Sequence, residues 1–262
     1  MAPPQTSASA ESNGLLVLWG SIDPKAVDED DLNDWWTNEH LPERLALPGF
    51  QRARRYRACD AKHSQNEYLA LYEVLNVRDL VSAEYLYALN HPTERTAQFM
   101  PSLAKMSRFA CEVVSSDCSP VLISEQHANT RDLLFIVVFE LGAAGLDRDL
   151  LLMIGEHLRD RQQGASTVIT HTWLIKVNEK VTKTGSTSKS YDGVQFRPSH
   201  DDSTKGAEMA ETFIALFEFR NISVDGPLPE RPVDSKCISK TTGIPGLRVK
   251  HIDAYELIAS LA

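Results

Sequence analysis

Apolar and polar positions along this chain alternate between a period of two and a period near 3.6, and the order of these periods predicts its elements. Gly14 to Ile22 is a short apolar run closed by Asp23-Pro24, which predicts a buried strand and a turn. Asp28 to Asp31 then set four acids ahead of an amphipathic stretch. Carboxylates favour a helix N-terminus, so a helix is expected to about Arg44, stopping before Pro48-Gly49. Pro42 lacks the N–H that a helix interior uses and disfavours helical geometry at Leu41, which predicts a kink or early end there. Phe50 to Ala58 and Glu67 to Leu75 have the character of two strands of a hairpin. Val77 to Leu89 returns to helical spacing, His91-Pro92 interrupts it, and a second helical piece runs to about Met106. Arg108 to Ser115 reads as a closing strand.

The pattern then repeats. Leu15-Leu16-Val17-Leu18 is matched by Leu133-Leu134-Phe135-Ile136, and Glu39-His40-Leu41 by Glu156-His157-Leu158, at the same interval to within one residue. The strand Glu67 to Val74 is matched by Glu211 to Glu218 at a longer interval, which marks an insertion of roughly 27 residues in the second copy. The expected organisation is a flexible leader (1–13), a first unit (14–115), a polar linker (116–130) and a second unit (131–262). In the second unit strands are expected over Asp132 to Leu141, Ser166 to Val177, Glu211 to Asn221 and Leu247 to Glu256, with a helix over Leu146 to Gln162. Residues 178–210, rich in Ser, Thr, Lys, Gly and Asp, read as a long exposed loop adding little core. Pro227, Pro229 and Pro232 leave the second copy a poor second helix. Strand, helix, strand, strand, helix, strand is the order of a ferredoxin-like unit, so the fold class is α+β with two tandem ferredoxin-like repeats.

Composition narrows the function. At 262 residues, 42% hydrophobic and 24% charged, the chain has the make-up of a globular protein with a real core. A formal charge of −9 argues against nucleic acid or an anionic membrane as a partner. No apolar run approaches the roughly 18 to 20 residues that span a bilayer, and the leader has no signal-peptide pattern, so a cytoplasmic location is expected. Four cysteines without C-x-x-C spacing read as reduced thiols. No metal-ligand spacing, P-loop, G-x-G-x-x-G or G-x-S-x-G occurs, and neither a metal nor another cofactor is expected, although one histidine would suffice to hold a haem.

The stretch W-W-x-x-E-H-L-P-E-R-L-A-L-P-G-F, from Trp35 to Phe50, resembles the EthD-like branch of the dimeric α+β barrel superfamily. The resemblance is specific over about residues 14–115. It is weak in the second half, where Met153 stands for Trp36 and Arg159 for Pro42. It implies two ferredoxin-like units packed sheet against sheet into a barrel with helices outside. Two chains usually do this; here both units lie in one chain, a monomer with a pseudo-dimeric barrel, with further dimerisation open. It also implies small-molecule pockets between the helices and sheet of one unit. The superfamily's activities include cofactor-free monooxygenases, polyketide cyclases, decarboxylases and haem enzymes, so the fold does not select among them.

His40 is the leading catalytic candidate. Asn33, Trp36 and His40 lie at i, i+3 and i+7 on one helix face, and the equivalent face of the second copy is apolar, so this face should meet the sheet. An inward histidine is either a satisfied core residue or an acid–base group, since imidazole exchanges a proton near neutral pH. Both readings stand for His40; for His157, in apolar surroundings, the core reading is preferred. Tyr72, on a row with Tyr68 and Ala70, and Tyr85 on the second helix could provide hydroxyls, or simply pack. Asn33, Trp36, Tyr85 and Arg54 are the candidate substrate contacts. Arg52, Arg54 and Tyr56 could grip a carboxylate or acidic phenol, or form an ion-paired strand end. His171 and Trp173 share a strand face, and His251 sits in the last strand. The expected function is cofactor-independent acid–base chemistry by His40 and Tyr72 on a small aromatic or polyketide-like molecule: decarboxylation, dehydration or cyclisation. A cofactor-free monooxygenase and a non-catalytic binding barrel are the alternatives.

Overall fold

The computed structural model describes residues 13–59, 67–103, 105–118, 131–141, 167–197, 210–221 and 247–262. Its strands are β1 (Gly14–Ser21), β2 (Phe50–Ala58), β3 (Glu67–Val74), β4 (Lys105–Cys118), β5 (Arg131–Leu141), β6 (Thr167–Val177), β7 (Gln195–Phe196), β8 (Glu211–Asn221) and β9 (Arg248–Leu261). Eight of them close an antiparallel barrel in the order β1-β3-β2-β9-β5-β8-β6-β4, with β4 returning to β1. β7 is a short parallel addition to the start of β4. The first four strands run β2-β3-β1-β4 and the later ones β6-β8-β5-β9, so the two halves correspond strand for strand. Two seams join them. β2 pairs with β9, and β4 pairs with β1 along its first part and with β6 from Cys111 to Cys118. Closure leaves the eight-stranded cycle no open edge.

Period-two alternation sorts the side chains. Leu15, Val17, Leu69 and Leu71 point into the barrel, where they meet Leu134, Ile136, Trp173 and Leu216 of the other half. Leu16, Leu18, Ala53, Tyr68, Tyr72 and Ala110 face outward beneath the helices. The outer face of the second half carries Leu133, Phe135, Val137, Phe213, Phe217 and Phe219. The non-helical faces of both halves therefore share one core, as the repeat predicts.

The helices are α1 (Glu29–Trp35), α2 (Leu41–Leu45), α3 (Ala83–Asn90), α4 (Glu94–Phe99) and α5 (Glu179–Ser186). Asp28 caps α1 as its acids suggest, its Oδ1 accepting the N–H groups of Asp30 at 2.9 Å and Asp31 at 3.2 Å. The break expected at Leu41 takes another form. Trp36–His40 is a π-turn in which the Leu41 N–H reaches back to the Trp36 carbonyl, and the chain continues through Pro42 into α2. A wider turn accommodates the proline that an α-helical interior would reject. The second helical piece ends at Phe99 rather than Met106, β4 runs on to Cys118, and β9 continues past Glu256 to Leu261.

The exposed loop expected over 178–210 is corrected for residues 178–197. Asn178 caps α5 by accepting the Val181 N–H at 3.1 Å. The helix lies on β4, where Thr182 Oγ1 accepts the Ala110 N–H at 2.9 Å. Ser190 donates to the Leu89 carbonyl at 2.7 Å, and Val181 and Tyr191 join the first half's outer core. These polar side chains are used on backbone groups rather than on water, which composition alone does not reveal. Residues 198–209, the leader 1–12, the linker over 119–130 and the expected helix at 146–162 with His157 lie outside the described residues. Among the described residues no helix is long and apolar enough to cross a membrane.

Candidate functional site

A narrow cavity, with about 20 Å³ open to a water-sized sphere inside an envelope of about 400 Å³ that includes its mouth, lies between the first half's outer sheet face and its helices. Leu16, Leu18 and Met106 give it an apolar floor, and Met100 and Leu103 extend that surface. Its polar groups come from four places: His40 and Arg44 on the π-turn and α2, Tyr72 on β3, Tyr85 on α3, and Ser190 and Tyr191 from the insertion.

His40 packs against the Trp35 ring at 4.9 Å between centroids. Its Nδ1 lies 3.5 Å from Thr96 Oγ1 and 3.8 Å from Glu43 Oε2, whereas Nε2 has no hydrogen-bond partner among the described residues. Burial holds its pKa well below the usual 6.5, and the positive charges of Arg44 and Arg55 push the same way. The imidazole is therefore neutral at physiological pH and able to accept a proton. Burial pushes the Tyr72 hydroxyl well above its ordinary range, against the opposing pull of the Arg44 charge. Tyr191 is raised to about 12, again chiefly by burial. Both phenols keep their protons and remain available as donors.

The structure brings His40, Tyr72, Trp36 and Tyr85 to this one cavity. It does not bring Asn33 or Arg54. Asn33 is engaged with its neighbours: Oδ1 accepts Arg55 Nη2 at 2.7 Å and Nδ2 donates to the Tyr68 hydroxyl at 3.3 Å. Arg54 points the other way, into the barrel, where it pairs with Glu73 and Glu218 and lies 5.1 Å over the Trp173 ring. Tyr56 also donates to Glu218, at 3.0 Å. Of the two readings for Arg54 and Tyr56 the ion-paired strand holds, and Arg54 is not a substrate contact at this cavity.

Three arginines on the helix side were not among the candidate site residues, and none of them forms an ion pair with a carboxylate among the described residues. Arg55 donates to Thr37 Oγ1 at 2.6 Å and lies 4.4 Å over the Trp36 ring; burial brings its pKa down to about 10. Arg108 donates to the Thr182 carbonyl at 2.9 Å and to the Tyr85 hydroxyl at 3.4 Å. Its guanidinium passes so close to Gly185 of α5 that a Cβ there would lie 2.1 Å from Nη2. Arg44 is 5% exposed, and its buried Nε and Nη1 have no hydrogen-bond partner. The i, i+4 spacing of His40 and Arg44 was the available signal for it.

No protein-family model matches the sequence, and no curated protein matches it either. Solved structures do. An anthrone oxidase-like protein aligns over 96% of this chain and 93% of its own length, with a TM-score of 0.52 at 12% identity. A "putative monooxygenase" from Lactobacillus acidophilus NCFM aligns over 95% and 94%, with a TM-score of 0.39 at 9% identity. The likeness is one of fold. It says nothing of activity, and the site must be argued from its own residues.

A separate cleft, with about 200 Å³ open to a water-sized sphere, lies at the end of the barrel interior. His171 there stacks on Trp173 at 3.5 Å and meets Ser116 Oγ at 2.7 Å through Nε2. Burial and the charges of Arg54 and Arg52 lower its pKa to about 4. The ionic groups around it are largely paired with one another, Arg54 with Glu218 and Arg220 with Asp132. Among the described residues no group of three or more His, Cys, Asp or Glu side chains is placed to hold a metal.

Proposed function

We propose that the chain is a cofactor-independent enzyme in which His40 acts as general base on a small aromatic or polyketide-like molecule. The observation that carries this is His40 itself: a neutral imidazole whose Nε2 has no hydrogen-bond partner among the described residues, on the wall of a cavity rich in aromatic rings. A core histidine with a purely structural role would be expected to have both nitrogens engaged. Trp36, Tyr72 and Tyr85 line the cavity with rings on which a flat molecule would stack as it widens the cavity, and the retained phenolic protons can bond an oxygen on which charge develops. Proton removal opens decarboxylation, dehydration or cyclisation. It equally opens a monooxygenase route, in which a deprotonated phenol or enol reacts with oxygen, and the same geometry serves both.

The correspondence of the halves supports a fusion of two ferredoxin-like units into a pseudo-dimeric barrel; the EthD-like branch rests on the stretch from Trp35 to Phe50 alone, and a cytoplasmic monomer is part of the same proposal. The name of the anthrone oxidase-like neighbour suggests a probe, anthrone being an enolisable tricyclic ketone. Anthrones and phenolic polyketide-like acids would be assayed with and without oxygen. His40→Ala should lower turnover by about a hundredfold or more, the usual contribution of a general acid–base group. A loss confined to aerobic reactions selects the monooxygenase route. Unchanged turnover in a folded His40→Ala variant defeats the proposal.

A further inference from the structure

We infer that the cavity takes its substrate as an anion, with the Arg44 guanidinium bonded to a carboxylate or ionised phenol of the bound molecule. The inference rests on the cavity being the active site and names the class of compound that enters it. A guanidinium is charged at any physiological pH, and burying one without a partner is costly, so buried arginines are as a rule paired. The other buried arginines near β2 and β4 follow that rule by different means. Arg54 has two carboxylates; Arg55 has Thr37, Asn33 and the Trp36 face; Arg108 has the Thr182 carbonyl, Tyr85 and the Tyr191 ring at 5.7 Å. Arg44 has none of these. Its buried Nε and Nη1 are unpartnered, and no carboxylate lies within ion-pair distance among the described residues. The adjacent acid, Glu43, directs its carboxylate towards His40 Nδ1.

What Arg44 does line is the cavity, alongside His40, Tyr72, Tyr85 and Tyr191. The partner that no described residue provides is therefore supplied by the occupant. A planar fork bonds a carboxylate through two parallel N–H donors, and the effect is strongest where water is excluded. Arg55 and Arg108 stand behind the same wall, and neither forms an ion pair with an acid among the described residues. Held this way, a ring system would present a position near its acidic group to His40, one helical turn back from Arg44.

The test is a binding comparison that does not depend on turnover. Anthraquinone-2-carboxylate and the uncharged anthraquinone-2-carboxamide would be titrated against the full chain at pH 7.5, with tryptophan fluorescence as readout. The wild type should bind the carboxylate at least tenfold more tightly than the amide, Arg44→Met should erase the preference, and Arg44→Lys should restore part of it. Arg44→Met removes an unpaired buried charge, so it should melt no lower than the wild type, and lost binding is then not lost folding. Equal binding of the two compounds by the wild type, no binding of the carboxylate, or a preference that survives Arg44→Met overturns the inference. His40→Ala should keep the preference. A preference abolished by Arg44→Met with no His40-dependent turnover upholds the anion site and sinks the catalytic reading; His40-dependent turnover without the preference does the reverse.

Discussion

Arg54 and Arg55 are neighbours on β2, both fully buried, and they point to opposite sides of the same sheet. On the barrel side Arg54 meets Glu73 from the first half and Glu218 from the second, across the indole of Trp173. Its charge is balanced by carboxylates drawn from both halves, and it ties the halves together. On the helix side Arg44, Arg55 and Arg108 form no ion pair with a carboxylate among the described residues; Arg44 feels the charge of the adjacent Glu43, but its buried Nε and Nη1 have no hydrogen-bond partner there. The same residue type thus plays two parts. Compensated charge belongs to the architecture, and charge left open at a cavity points to a ligand.

Matched substitutions test that contrast most severely. Arg54→Met leaves Glu73 and Glu218 facing each other at the barrel end, and breaking a buried pair in this way costs about 3–5 kcal/mol. Arg44→Met relieves an uncompensated charge and should leave stability unchanged or raise it. Urea unfolding of the two variants beside the wild type measures both. If they lose stability equally, Arg44 has a structural partner and the contrast collapses.

A smaller effect is expected from the insertion, which belongs to the second half in sequence and to the first half's cavity in space. Replacing residues 179–197 by a short Gly/Ser linker strips the Ala110 N–H of Thr182 Oγ1 and Arg108 of the Thr182 carbonyl, and takes Tyr191 out of the wall. Each donor left unsatisfied costs about 1–3 kcal/mol, reduced where water reaches it. The melting temperature should fall and carboxylate binding weaken together. A shortened protein that melts like the wild type would show that α5 merely rests on β4.

The sequence made the barrel and half of the site legible, for reasons that particular residues show. Strand patterns such as Leu15 to Leu18 and Glu67 to Val74 recur because the same faces are buried in both halves, and repetition survives where single motifs fade. Tyr68 and Tyr72 could be placed together because strand parity is rigid. Parity also set Arg54 opposite Arg55, but it could not say which face met the helices; that depends on the register with β3 and β9. Arg44 was hidden by Pro42, which suggested an end to the helix at Leu41, and the π-turn shifts the helical phase just where it had to be extrapolated. Residues 178–197 were misread because Thr182 and Ser190 look like loop residues until their backbone partners are known.

The smallest expected effect concerns two histidines, one in each region. Both His40 and His171 have folded pKa values below 6.5, so the unfolded chain binds their protons more readily. The stabilisation they reflect is complete above pH 6.5 and is lost as pH falls towards the folded values. For His171 that window closes at about 4; for His40 it opens at the same place and extends to well below 6.5. Urea midpoints should thus be flat from pH 8 to 7 and fall on acidification, and His171→Gln should flatten part of that slope. Ligand separates the two residues further. A carboxylate seated on Arg44 offsets one of the charges that depress His40, so its pKa should rise on binding anthraquinone-2-carboxylate. His171, held down by burial and by Arg54 and Arg52 in the barrel end, should titrate as before. Proton NMR of the imidazole C2 resonances reads both at once. If His171 moves and His40 does not, the anion has chosen the barrel-end cleft, and the assignment of open charge to the helix side is wrong.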